Sequence, residues 1–100
     1  MSLSALEKLV YLFDVGENIT LKYKDKAYNF DCDDDAIHVS IINYHDYVSQ
    51  NTEALVDGFE FTPASFDSDF ATIVYEFFDE KILEGKSIRE AISEIELLSA

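Results

Sequence analysis

The densest run of ionisable side chains in this 100-residue sequence is Asp31-Cys32-Asp33-Asp34-Asp35. Carboxylates at alternate positions open calcium-binding loops, in which the sixth position needs Gly for a sharp turn and the twelfth a bidentate Glu. Counted from Asp31, those positions hold Ala36 and Ile42, so the run reads as a solvated loop. Cys32, His38 and His45 offer softer ligands but lack the paired spacings of zinc sites. His45 precedes Asp46, yet chain neighbours seldom point at each other, so adjacency alone implies no acid–base pair. With 21 carboxylates any hydrolytic pair can be picked at will, and three isolated Gly do not make a phosphate-cradling loop. The sequence therefore predicts no catalytic residue, no metal and no cofactor.

What remains is the charge itself. From Ala27 to Glu80 there are 13 Asp or Glu and no Lys or Arg, and this stretch carries all but one unit of the net charge of −14. Concentrated charge of one sign repels itself in the compact state and attracts an opposite charge from outside. Phosphate backbones and anionic membrane surfaces are repelled by such a chain, which excludes direct nucleic-acid binding and peripheral membrane docking. A basic protein surface is the expected partner.

Stepping from charge to elements, Ser4-Ala5-Leu6-Glu7 has the spacing of a capping box, and Leu6, Leu9, Val10 and Phe13 continue at helical intervals, predicting a helix from Ala5 to Asp14. Ile19, Leu21 and Tyr23 alternate with Thr20, Lys22 and Lys24 as a strand does. A second strand over 27–31 turns Tyr28 and Phe30 inward, with Asn29 and Asp31 facing the lysines of the first; a third places Ile37, Val39 and Ile41 inward. Residues 43–58 read as irregular with a turn or two of helix, and Phe59-Glu60-Phe61 as a short extended piece. Thr62-Pro63 is a helix start, Phe66, Phe70, Ile73, Val74 and Phe77 form an apolar stripe, and Gly85 stops that helix. A second capping box at Ser87 and Glu90, followed by Ala91, Ile92, Ile95 and Leu98, predicts a final amphipathic helix. The expected fold is a single α+β domain over residues 1–100: an N-terminal helix, a three-stranded antiparallel sheet, an irregular segment, and two C-terminal helices packed on the sheet.

A hydrophobic content of 48% supports a folded core, and one cysteine and the lack of any long apolar run predict a cytoplasmic chain. On the predicted helix, Asp69, Glu76, Asp79 and Glu80 share one arc, with Glu76 and Glu80 about 6 Å apart along the axis, a spacing comparable to strand phosphates. Asp33, Asp34 and Asp35, with Asp31, Asp46, Asp57 and Glu60, add to this negative field, and Tyr44 and Tyr47 are the aromatic anchors expected at an interface. In size, charge and absence of motifs the chain resembles small acidic inhibitors that phages and mobile elements direct against restriction or CRISPR nucleases. The function expected from that likeness is a non-enzymatic inhibitor that fills a nuclease's basic nucleic-acid-binding surface by imitating DNA. Two rival classes fit the same composition: an immunity protein or antitoxin, which a neighbouring toxin gene would reveal, and an oligomerising module closed through the last helix, which would show a concentration-dependent mass.

Overall fold

The structure, a computed structural model, describes residues 3–14, 18–32, 36–51, 53–62 and 70–99. In chain order the elements are α1 (Leu3–Asp14), β1 (Ile19–Tyr23), β2 (Lys26–Cys32), β3 (Ile37–Asn43), α2 (Tyr44–Val48), β4 (Leu55–Phe61), α3 (Phe70–Phe78) and β5 (Glu96–Ser99). The strands form one antiparallel sheet in the order β4-β3-β2-β1-β5. Five strands replace the expected three, and the expected pair of C-terminal helices is overturned. The described part of the first ends at Phe78 and the second is absent from the described residues. The predicted helix start, with Thr62 as cap and Pro63 as first helical residue, lies, from Pro63 to Asp69, outside the described residues.

Period-two burial explains why β1 to β3 form as read. Ile19, Leu21 and Tyr23, then Tyr28 and Phe30, then Ile37, Val39 and Ile41 all point to one face, which α1 and α3 cover with Leu9, Phe13, Val74, Phe77 and Phe78. Phe77 is central: its ring lies 5.2 Å from that of Phe61, 5.6 Å from Phe30 and 6.0 Å from Phe13, centroid to centroid. Aromatic pairs at such separations add to the stabilisation that burial already gives. The lysines of β1 do not meet the acids of β2. The register sets Thr20 opposite Asn29 and Lys22 opposite Ala27, with the Asn29 amide donating to the Thr20 hydroxyl at 3.0 Å.

The C-terminal correction has a local cause. The capping box forms: the Ser87 N–H donates to Glu90 and the Glu90 N–H to the Ser87 hydroxyl, both at 3.1 Å. It starts a turn that does not propagate, with Ala91 N–H bonded to Ser87 and Glu94 N–H to Ala91. Successive turns bury Ile88, Ala91 and Ile95, which satisfies the helical spacing without a helix. The chain then pairs as β5 along β1, whose backbone groups would otherwise form an open edge.

The segment 43–58, expected to be irregular with a turn or two of helix, holds α2 and the first four residues of β4, whose last three are the expected extended piece at 59–61. Helix α2 ends in a Schellman motif: Asn51 N–H bonds to the Asp46 carbonyl at 2.9 Å and Gln50 N–H to that of Tyr47 at 3.2 Å. Gln50 takes φ +62°, where side-chain-bearing residues are strained. Replacing it by Gly is expected to stabilise the fold by about 0.5–1 kcal/mol after the added unfolded-state entropy is counted, read as a higher urea midpoint at unchanged slope.

Burial pushes the Tyr28 hydroxyl up to about 12 from 10.0, with the negative charge of Glu84 adding to the rise. The unfolded chain therefore loses this proton first. The stabilising contribution is complete below pH 10 and is lost as pH climbs toward 12. Tyr28→Phe should flatten that part of the stability–pH curve, measured by urea unfolding from pH 9 to 12.

Candidate functional site

On the sheet face away from α1 and α3, the cross-strand register lines up three rows. The first is Lys22, Ala27, Ile42 and Leu55; the second is Thr20, Asn29, Ser40 and Gly58; the third is Asp31, His38 and Glu60. In the first two rows a groove of about 350 Å³ is lined by Thr20, Ala27, Asn29, Ser40, Ile42 and Leu55, and is walled by Tyr47 of α2. Small hydroxyl and amide side chains make its floor, and Ile42, Tyr47 and Leu55 its apolar sides. The second row ends at Gly58, on the last strand of the sheet.

The third row is an acid–imidazole–acid line, with His38 Nδ1 3.0 Å from a Glu60 carboxylate oxygen. It lies near the end of β2 opposite the β1–β2 turn. Asp31 lies five steps along β2 from Lys26, about 17 Å at the rise of an antiparallel strand. That is twice the screening length of about 8 Å at physiological ionic strength, so the turn lysines do little to offset the row.

Those lysines are engaged elsewhere. Lys24 and Lys26 lie 3.9 and 3.7 Å from Glu84, and Lys26 also 3.5 Å from Asp25. Lys86 pairs with Glu94 at 3.2 Å, Arg89 with Asp79 at 2.7 Å, and Lys81 with Glu90. The Lys81 ammonium holds the Glu90 carboxyl below the usual carboxylate range, helped by the Ser87 N–H, and bonding to Glu94 raises the Lys86 ammonium. Lys22 sits over the Tyr44 ring, 4.6 Å from its centroid. Six of the seven bases thus cluster at the β1–β2 turn and along 81–89, two regions joined through Glu84, and the seventh, Lys8, is exposed on α1. Strands β3 and β4 and helix α2 contain no Lys or Arg.

The residues singled out from the sequence scatter over this framework. Asp33, Asp34, Asp35 and Asp69 lie outside the described residues. Tyr44 and Tyr47 stack at 6.3 Å with an interplanar angle of 25°, Tyr44 beneath Lys22 and Tyr47 on the groove. Asp46 is buried: one carboxylate oxygen lies 3.5 Å from the Asn51 amide nitrogen and 3.4 Å from His45 Nε2, so adjacent residues do meet here on the short helix. Glu76 is exposed on α3, in the layer on the other side of the sheet from Asp31 and Glu60. Asp79 and Glu80 follow the end of α3 in a turn held by bonds to the carbonyls of Glu76 and Phe77, so the axial ladder from Glu76 to Glu80 is not formed. Among the described residues no three His, Cys, Asp or Glu come together as a metal-binding group, and no helix is long and apolar enough to cross a membrane.

The sequence marked Asp57 and Glu60 only as added charge, and Asp31 also as the start of an incomplete calcium-type loop and an outward residue of β2. The register is what brings Asp31 and Glu60 onto one row, and the sole hint of it in the sequence is the alternation Phe59-Glu60-Phe61. No protein-family model matches the chain, and neither a curated protein nor a solved structure matches it significantly.

Proposed function

We propose that the chain is a non-enzymatic inhibitor that binds the basic nucleic-acid-binding surface of a nuclease, presenting carboxylates where that surface takes phosphates. The observation that carries this reading is the separation of charge in space. Paired acids and bases gather at the β1–β2 turn and along 79–94, while Asp31 stands about 17 Å along β2 from Lys26, and neither Asp31 nor Glu60 has a Lys or Arg paired to it among the described residues. Carboxylates with no Lys or Arg beside them at a surface raise the field that draws in a cationic partner and speed its encounter. The helical arc from Asp69 to Glu80 is a weaker element of the reading than the sheet end, since Asp79 is taken by Arg89 and Glu76 belongs to the other layer.

Closure of an oligomer through the last helix has no support, because the described residues there form turns and a strand. Affinity capture from lysate of the source cells tests the proposal. It predicts a basic nuclease that excess duplex DNA releases; recovery of a partner that DNA does not displace contradicts it.

A further inference from the structure

We infer that β4 is a docking edge for an extended, basic segment of the partner, which adds as a sixth strand to the sheet. The inference rests on the reading above for the charge of the partner, and on the sheet for how it binds. Strand β4 ends the sheet and is bonded on one side only among the described residues. The Gly58 N–H donates to its neighbour's carboxylate, Asp57 Oδ1, at 2.8 Å, so it is turned away from β3. By the alternation of an antiparallel ladder, the backbone groups of Glu60 face outward with those of Gly58. An added strand would meet these groups, and the Asp57 carboxylate would be released toward a cation.

Three features decide what the occupant is. The edge is apolar in Leu55, Val56 and Phe59, which are 60%, 50% and 36% exposed, and it is acidic in Asp57 and Glu60. A second copy of the chain would bring another −14 and set the same two acids against the same edge, so charge disfavours self-pairing. A residue placed opposite Gly58 continues the second row toward the groove, where the missing side chain leaves room for a large one. A residue opposite Glu60 continues the acid row and should be basic. Main-chain bonds then supply affinity and alternate side chains supply selectivity, as in other strand additions.

The test uses the full chain and two synthetic peptides of sequence Thr-Arg-Val-Tyr-Lys-Thr, blocked at both ends, one unmodified and one N-methylated at alternate residues. Both carry the same charge, but only the first can pair as a strand along β4. The expected result is binding of the unmodified peptide at least tenfold tighter, with slowed hydrogen exchange at the Gly58 and Glu60 amides. Equal affinity, protection elsewhere, or no binding of the unmodified peptide at millimolar concentration overturns strand addition, as does a free chain that is already a dimer through β4 by light scattering. None of these outcomes touches the DNA-displacement test of the proposed function, so the two readings fail separately.

Discussion

Phe77→Ala is expected to cost about 3–5 kcal/mol, the range for truncating a fully buried Phe. The Phe77 side chain has no solvent exposure and touches rings from α1, β2, β4 and its own helix. The cavity would therefore open where both layers meet, and no single neighbour could collapse into it without leaving another contact. Against the roughly 5–15 kcal/mol typical of a domain, such a loss removes a large share of stability. Phe77→Leu, which keeps more of the volume, should cost clearly less. Phe59→Ala, at a partly exposed position on the edge strand, should cost less again. Urea unfolding of the three variants at one temperature measures the order, and a Phe77→Ala midpoint close to that of Phe59→Ala would contradict the placement of the core.

The second large effect concerns binding. Asp31→Asn, Asp57→Asn and Glu60→Gln together remove charge from exposed, base-free positions of β2 and β4, none of which belongs to the core. Association with the captured nuclease should slow by tenfold or more at low ionic strength, since steering by such fields changes on-rates by about 10 to 1,000-fold. The control is Glu84→Gln, Glu90→Gln and Glu94→Gln, which removes the same number of charges from groups already paired with Lys81, Lys86 and the turn lysines. Association should fall much less there, because those carboxylates present little net field to a partner. Stopped-flow or surface-binding kinetics of the two triple variants distinguishes local charge from net charge, and equal slowing would assign the effect to net charge alone.

Strands with strict alternation were legible in the sequence. Ile19, Leu21 and Tyr23, and Ile37, Val39 and Ile41, bury in the order their spacing implies. Only the last three residues of β4, Phe59-Glu60-Phe61, were legible as extended, because Asp57 and Gly58 break the apolar pattern before them and an edge strand with exposed side chains has little period-two burial to show. The C-terminal segment misled for a different reason. Ile88, Ala91 and Ile95 sit at helical intervals and a capping box does form, yet the open edge of β1 draws Glu96–Ser99 into the sheet. Pairing partners distant in sequence decided that element, and no local pattern encodes them. At the candidate site, the sequence made the excess of acid plain, but only the register places Asp31 and Glu60 on one row and sends the bases to Glu84, Glu90 and Glu94.

The central claim is that this chain and nucleic acid compete for one basic surface. The direct measurement is the association rate of the chain with the captured nuclease, alone and preloaded with duplex DNA, across a range of salt concentration. The account predicts mutual exclusion, with no ternary complex, and an on-rate that falls steeply as ionic strength rises through the physiological range. A stable complex of nuclease, DNA and this chain, or an on-rate indifferent to salt, would contradict it.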